Sequence, residues 1–263
     1  MKNINTVAGV VSDKCIARVS YNDTATYVKP VGEDRFEVMS GSPFDALLPT
    51  GEFINVEAEN LLASILPSKV IGVGKNFRDT AEDEIASFPE IFLMPSTSVT
   101  STLKNICLPF VFESVLAEGE LAVVIKSKAK NIPVDDIQDI ILGYTIVNDF
   151  SGRDSTCLEK VPALVKKGCD GFLPVGPFLY LDNGILNFEI KTYVNNDLKQ
   201  HGNTKDLIFN IQSCLSYISN ITTLLPGDII CLGCPAPKPK LRPGDKVDVK
   251  IENLGTLSNI ITK

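Results

Sequence analysis

Short stretches of alternating apolar and polar residues predict that most of this chain folds as β-strands. A period of two is typical of a half-buried strand, and Cys15–Val19, Ala25–Val28 and Lys246–Glu252 show it. Two further segments, Lys69–Val73 and Leu121–Ile125, are apolar almost throughout, as strands buried on both faces are. The pattern therefore indicates several strands, some of them at the centre of a core.

Helical periodicity is confined to a few segments. The clearest follows Thr204, a predicted N-cap. We also predict a helix over residues 133–142 and a linking helix over residues 56–65 that ends before Pro67. The apolar residues after Thr204 that recur at helical spacing and define one buried stripe are Leu207, Ile208, Ile211, Leu215 and Ile218.

Regular alternation of strand and helix is absent, so a doubly wound parallel sheet is not expected. The predicted fold class is α+β, mainly β, with antiparallel or mixed strands. Polar turns divide the region before Pro67 into short strands. We therefore predict a small β-rich N-terminal domain over residues 1–66 and a larger domain over residues 67–263.

Composition and charge limit the classes of binding partner that the chain can have. A net charge of −7 and a pI near 4.9 argue against nucleic acid or an anionic membrane surface, because phosphate binding needs a positive surface. No apolar run approaches the roughly 20 residues of a membrane helix, and the N-terminus lacks a signal-peptide pattern, which together predict a cytoplasmic protein. The seven cysteines fit reduced, buried thiols better than a disulfide framework.

The first candidate for chemistry is the pair Glu118 and Glu120 at the start of a predicted strand. Residues two apart on a strand share a face, so the two carboxylates can converge. Their hard oxygens could coordinate Mg²⁺, Mn²⁺ or Ca²⁺, and Asp149, which ends an apolar stretch, could supply a third oxygen ligand. The residues alone leave open that these are ordinary carboxylates on a solvated strand face.

Three other sequence patterns suggest familiar kinds of functional site, but the residues around them do not support any of these sites. Cys231 and Cys234 form a CxxC pair, but no second pair exists to complete a zinc site and prolines follow it, so we interpret them as packing cysteines. Residues 72–74 resemble a dinucleotide loop, yet Phe77 stands where its third glycine belongs. His201 is the single histidine, which excludes every His-rich metal site.

Six segments, in order, resemble motifs of the fumarylacetoacetate hydrolase family, including its 2-hydroxyhepta-2,4-diene-1,7-dioate isomerase and acylpyruvate hydrolase-like members. One motif alone is weak, but six in the right order from about residue 69 to the C-terminus are specific. The segments are residues 70–79 (Ile-Gly-x-Gly-x-Asn-Tyr), 118–125 (Glu-x-Glu), 143–154 (Asn-Asp-x-Ser-Ala-Arg-Asp), 167–177 (Lys-Gly and Pro-x-Gly-Pro), 195–204 (Gln-x-Gly-Asn-Thr) and 225–236 (Pro-Gly-Asp and Gly-x-Pro).

The resemblance implies a mixed β-roll like the family's C-terminal domain, a homodimer, and a small-molecule substrate that is a 2-oxo or 1,3-diketo carboxylic acid. A Lewis acid that binds adjacent oxo and carboxylate oxygens stabilises an enolate. By resemblance, the ion (Mg²⁺, or Mn²⁺ or Ca²⁺) is held by Glu118, Glu120 and Asp149, the active-site lysine is Lys167, and the substrate-binding positions are Arg153, Gln200, Thr204 and Cys234.

The chain departs from the family pattern where the reaction is decided. Hydrolytic members carry a histidine at the position of Thr80 and a glutamate at that of Asp83, and threonine cannot act as a general base near neutral pH. Met94 stands where a lysine is usual, and Cys234 where a threonine is usual. The water-activating part of a hydrolase is therefore missing.

Three functions remain open at this point. The first is a metal-dependent isomerase, tautomerase or decarboxylase, which needs no activated water. The second is a C–C bond hydrolase of the acylpyruvate type that uses Asp83 or Glu84 as its base. The third is a non-catalytic relative that keeps the fold for binding.

Overall fold

The computed structural model describes residues 11–32, 35–79, 85–155 and 161–263, and these residues form three sheets with little helix. The strands are β1 Cys15–Tyr21, β2 Thr24–Pro30, β3 Arg35–Gly41, β4 Leu47–Asn55, β5 Val70–Gly74, β6 Glu90–Met94, β7 Val99–Thr100, β8 Asn105–Cys107, β9 Phe112–Leu116, β10 Gly119–Ile125, β11 Ile141–Asn148, β12 Ser151–Ser155, β13 Leu173–Tyr180, β14 Glu189–Val194, β15 Asp197–Asn203, β16 Ile229–Cys231, β17 Lys240–Leu241, β18 Lys246–Ile251 and β19 Gly255–Thr262. The α-helices are α1 Ala163–Lys167 and α2 Ile211–Ile221, and the 3₁₀ helices are Ala58–Asn60, Ser96–Ser98, Val134–Ile140 and Thr204–Asp206.

The largest sheet runs in the order β4-β3-β2-β1-β13-β11-β10-β16-β5-β6, with the short β7 paired to β13. Most pairs are antiparallel, but β16 pairs with β5, and β7 with β13, in parallel. A five-stranded sheet has the order β15-β14-β18-β19-β8, and a three-stranded sheet the order β12-β9-β17. The mainly β, mixed-strand fold predicted from the sequence is confirmed.

The central strand β10 is buried on both faces, which explains its continuous apolar sequence. On one face, Leu121 and Val123 pack against the five-stranded sheet and α2. On the other face, Ala122 and Val124 belong to a second apolar cluster with residues of β11 and β13. The strand that carries the candidate carboxylates is therefore fixed from both sides.

The helix predicted to begin after Thr204 begins later, at Ile211, so Thr204 is not its N-cap. Asn210 is the N-cap instead, and its side-chain oxygen accepts a hydrogen bond from the Ser213 amide at 2.8 Å. Leu207 precedes the helix and makes a bridge to Phe77. The apolar pattern extends to residues before the true cap because Leu207 is buried by tertiary contacts rather than by the helix.

The other two predicted helices are also wrong in type or length. Residues 133–142 contain a 3₁₀ helix, in which Ile137 and Ile140, three residues apart, share one buried side. Residues 56–65 contain only the single 3₁₀ turn Ala58–Asn60. The following Leu62 amide donates to the Arg18 carbonyl of β1 at 2.9 Å, so this segment pairs with the sheet.

The region before Pro67 extends the main sheet, because β1 pairs with β13 from the C-terminal region. The division into domains 1–66 and 67–263 therefore stays a prediction. In the turns Pro226-Gly227-Asp228 and Pro243-Gly244-Asp245, the glycines have φ of +85° and +100°, in the left-handed region that glycine tolerates. Among the described helices, none is long and apolar enough to cross a membrane.

Candidate metal-binding active site

The β10–β11 hairpin brings three carboxylates together. Glu118 precedes β10 and Glu120 lies within it, and the two residues are only 4% and 3% exposed. In the antiparallel register Gly119 lies opposite Asn148, so Asp149, just after β11, reaches the start of β10. The Asp149 amide donates to the Glu118 carbonyl at 2.9 Å, which fixes the two ends together.

Gly119, between the two glutamates, allows β10 to approach the five-stranded sheet closely. A Cβ on this residue would lie 2.4 Å from Thr192 Oγ1 and 2.8 Å from Val249 Cγ1. Gln200 Oε1 accepts hydrogen bonds from Thr192 Oγ1 at 2.6 Å and from the Gly119 amide at 3.3 Å. The same side chain donates through Nε2 to the Pro235 carbonyl at 2.5 Å.

Lys167 ends the short helix α1 and inserts a buried ammonium between two of the carboxylates. Its Nζ donates to Asp149 Oδ2 at 2.7 Å and lies 3.0 Å from Glu118 Oε1. It also donates to the Asp149 carbonyl at 3.0 Å. Phe92 covers it from the β6 side, with its ring centroid 5.6 Å from Nζ.

Burial and charge shift the pKa values in opposite directions across the cluster. Burial raises the pKa of Asp149 to about 6. Burial, reinforced by the Asp149 charge, also raises the pKa of Glu120 well above its ordinary value. Burial alone would also raise the pKa of Glu118, but the ammonium groups of Lys167 and Lys238 lower this pKa overall. Burial alone would lower the pKa of Lys167, but the negative charges of the carboxylates, with Asp149 the strongest, raise this pKa overall.

The residues present fit a divalent ion. Asp149 Oδ1 is buried and has no hydrogen-bond partner within the described parts of the chain, so one hard oxygen is free for a ligand. The donor atoms of Glu118, Glu120 and Cys234 lie within 4.8 Å of one another. That set differs from the predicted triad, because it contains Cys234 and not Asp149.

Cys234 is a poor ligand for such an ion despite its position. Burial raises the pKa of its thiol well above the ordinary value, and the Glu118 and Glu120 charges add to the effect. The neutral thiol donates a weak hydrogen bond to Glu118 Oε2, at 3.6 Å. The two glutamates and Asp149 thus offer the hard oxygen donors that Mg²⁺, Mn²⁺ or Ca²⁺ prefer.

A cavity of about 290 Å³ opens onto the carboxylates. The predicted substrate-binding residues Arg153 and Cys234 line it, whereas Gln200 and Thr204 do not. The Thr204 side chain instead accepts a hydrogen bond from the Phe188 amide at 2.9 Å. Substrate contact by Gln200 and Thr204 stays a prediction, and their hydrogen bonds show them supporting the strands around the site.

The positions at which the sequence departs from the family pattern, and the single histidine, either lie away from the carboxylates or fall outside the described residues. Thr80, Asp83 and Glu84 lie outside the described residues. Met94 is fully buried in an apolar cluster and does not line the cavity. His201 is exposed, and its Nε2 lies 2.7 Å from Glu189 Oε1.

Lys238 is a charged site residue that the sequence did not reveal. It lines the cavity, and its Nζ donates to Glu118 Oε2 at 2.9 Å. A lysine between two prolines, Pro237 and Pro239, was the available signal, because such a residue has a restricted backbone. Nothing in the local sequence indicates that it points at a carboxylate 120 residues earlier.

Comparison with known proteins identifies the family. The sequence model of the fumarylacetoacetate (FAA) hydrolase C-terminal domain matches residues 69–262. The chain belongs to the fumarylacetoacetate hydrolase family. The match covers the same region as the six ordered segments, so the resemblance inferred from them is confirmed.

Individual relatives agree with this assignment. A protein from Mycobacterium tuberculosis is 40% identical over 227 residues, which cover 84% of this chain and 85% of the relative. The crystal structure of 5-carboxymethyl-2-hydroxymuconate delta-isomerase from Mycobacterium smegmatis superposes with a TM-score of 0.84 at 34% identity, covering 94% of this chain and 99% of that chain. Fumarylacetoacetate hydrolase from Exiguobacterium antarcticum superposes with a TM-score of 0.80 at 25% identity, and the superposition covers 94% of this chain and 99% of that chain. An enzymatic role is therefore supported at the level of the family, which contains both isomerases and hydrolases.

Proposed function

We propose that this chain is a divalent-metal-dependent enzyme that isomerises, tautomerises or decarboxylates a small 2-oxo or 1,3-diketo carboxylic acid. The observation that carries the proposal is the grouping of Glu118, Glu120, Asp149 and the Lys167 ammonium at the buried side of one cavity. These side chains repel one another or lose hydration when buried, so their assembly favours a functional rather than a structural role.

The three carboxylates would hold Mg²⁺ or Mn²⁺, which would supply Lewis-acid stabilisation of an enolate. Lys167 is held rigidly by Asp149 and Glu118, so its ammonium can donate to a developing enolate oxygen or transfer a proton at the adjacent carbon. Arg153, on β12, lines the cavity, and among the described residues its guanidinium makes one hydrogen bond, to the Gly152 carbonyl. At the cavity wall, this guanidinium would bind a substrate carboxylate.

The choice of reaction class is supported by the described residues that line the cavity. Among the described residues that line it, none is a histidine, and Thr80 occupies the position of the family's water-activating base. Reactions that need only enolate stabilisation and proton transfer fit these residues best. The named isomerase among the structural relatives supports the same choice. Hydrolysis with Asp83 or Glu84 as base remains the second candidate, supported by the named hydrolase.

A homodimeric assembly and a cytoplasmic location, both expected from the sequence and its resemblance, belong to the same proposal. Light scattering after size-exclusion chromatography tests the first. A mass near twice 28.6 kDa would support it, and a mass equal to the single chain would contradict it.

The decisive experiment follows the reacting proton. The Mn²⁺-loaded protein is incubated with oxaloacetate and with an acylpyruvate in D₂O, and deuterium uptake at carbon 3 and the products are followed by NMR. We expect exchange, tautomerisation or decarboxylation that disappears in Asp149→Asn, with Asp197→Asn, an exposed carboxylate, as control. Cleavage to pyruvate and a second acid would show a hydrolase, and no exchange or turnover would favour a non-catalytic relative.

A further inference from the structure

Glu118 has an ammonium group on each of its two carboxylate oxygens. Lys167 lies 3.0 Å from Oε1 and Lys238 lies 2.9 Å from Oε2. The two lysines differ in burial, because the Lys167 side chain is 11% exposed and the Lys238 side chain 31%. Lys238 therefore contacts the carboxylate cluster from the solvent side of the cavity.

The loop that carries Lys238 is held close to Glu118. The carbonyl of Pro239 accepts a hydrogen bond from the amide of Ala117, the residue before Glu118, at 2.9 Å. On the other side, the Ala236 amide donates to Asp79 Oδ2 at 3.0 Å. Because both ends of the loop are anchored, the Lys238 ammonium stays near the cavity even if its contact with Glu118 breaks.

The charges change sign when a divalent ion binds. With all three carboxylates ionised, the cluster of Glu118, Glu120, Asp149, Lys167 and Lys238 carries one net negative charge, and a divalent ion would leave it with one net positive charge. An ion that took Glu118 Oε2 as a ligand would compete directly with Lys238 for that oxygen. The released ammonium is partly buried and costly to leave unpaired, so it favours an anionic group of the substrate.

We propose that Lys238 is a specificity-determining residue that binds the distal carboxylate of a dicarboxylic 2-oxo acid. This inference rests on the proposed function, which places the 2-oxo acid end of the substrate at the buried carboxylates. Lys238, on the solvent side of the same cavity, then meets the other end of the molecule. Met94, buried away from the cavity, supplies no charge there.

The test compares two ligands that differ only in the distal group. Dissociation constants of 2-oxoglutarate and 2-oxopentanoate are measured by calorimetry on the Mn²⁺-loaded protein. The wild type should prefer 2-oxoglutarate by about tenfold, the size expected for one charge-assisted contact. Lys238→Met should remove that preference, and Lys238→Arg should keep it. The matched control is Lys240→Met, because Lys240 pairs with Asp154 outside the cavity lining.

The Mn²⁺ affinity, measured without any acid, separates a specificity role from a structural one. Lys238→Met should bind Mn²⁺ at least as tightly as the wild type, because a competing cation has been removed. Weaker Mn²⁺ binding, an equal preference in wild type and Lys238→Met, or no preference in the wild type would each overturn the role of Lys238. Binding of neither acid to the Mn²⁺-loaded wild type would instead overturn the proposed function.

Discussion

The backbone amide of Gly233 donates a hydrogen bond to Glu120 Oε2 over 2.7 Å. This is possible because Gly233 has φ of +93°, in the left-handed region that glycine tolerates. A Cβ there would lie 3.0 Å from the Val73 carbonyl oxygen and 3.1 Å from Asn76 Cβ. The side chain of Asn76 in turn donates to the Leu232 carbonyl at 2.9 Å, so the turn after β16 directly orients one of the candidate metal ligands.

Gly233→Ala should therefore lower both stability and metal affinity. We expect a loss of about 1–2 kcal/mol in the free energy of unfolding from the strained backbone, measured by urea denaturation, and weaker Mn²⁺ binding by calorimetry. Gly51→Ala is the matched control, since Gly51 has φ of +77° and a Cβ added there would meet nothing within 4 Å. It should lose stability but keep the Mn²⁺ affinity. Equal Mn²⁺ affinity in both variants would contradict the link between Gly233 and Glu120.

Asp149→Asn should remove most of the stabilisation by metal. A ligand that binds only the folded state adds about 2.7 kcal/mol at a concentration of 100 times its dissociation constant, and the wild type should show such an increase with Mn²⁺ in thermal denaturation. Because Asp149→Asn removes one charged oxygen ligand, most of this Mn²⁺-induced increase should disappear. An Asp149→Asn protein with an undiminished Mn²⁺ shift would show that the ion binds elsewhere, and absence of any shift in the wild type would contradict the metal site itself.

Local patterns predicted the strands and the carboxylates better than the helices. Glu118 and Glu120 share a face because strand periodicity is a local property, and the predicted β10 forms as expected. The helix start at Ile211 rather than Thr204 depended on the Asn210 cap and on the contact of Leu207 with Phe77. Such contacts join distant segments, and a single sequence does not show them.

The same limit applies within the site. The residues alone named Asp149 as a possible third ligand but left an ordinary solvated strand face open, and the hairpin register that brings Asp149 to Glu118 was not predicted. Lys238 meets Glu118 through a loop fixed by hydrogen bonds to Ala117 and Asp79. No spacing rule links positions so far apart, so a long-range contact of this kind becomes visible only in the folded chain.

Gln200 should act by positioning the strands. Gln200→Leu leaves the Gly119 amide and the Thr192 hydroxyl without their buried acceptor, which should cost about 2 kcal/mol of stability. The displacement of β10 should also weaken Mn²⁺ binding. A variant that raises KM for the substrate while stability and Mn²⁺ affinity stay unchanged would show direct substrate contact instead.

The cysteines should differ strongly in reactivity. Burial raises the pKa of Cys15 and of Cys214 to about 12, so at pH 8 these thiols should react with iodoacetamide far more slowly than the exposed Cys107. Because the folded pKa is raised, the associated stability is present below the ordinary value of 9.0 and is lost as the pH rises toward 12. Mass spectrometry of labelled peptides measures the rates. Fast labelling of Cys214 in the folded protein would contradict the buried environment.

Lys167→Met should destabilise the protein far more than the same change at its neighbour. It leaves Glu118 and Asp149 buried without the ammonium that lies between them, which should cost about 3–5 kcal/mol in metal-free buffer. Lys166→Met, one residue earlier on α1 and only partly buried, should change stability by no more than about 0.5 kcal/mol. Mn²⁺ should restore much of the stability of Lys167→Met, since the ion compensates the same carboxylates. Equal unfolding free energies for the two variants would show that the Lys167 ammonium does not compensate the cluster.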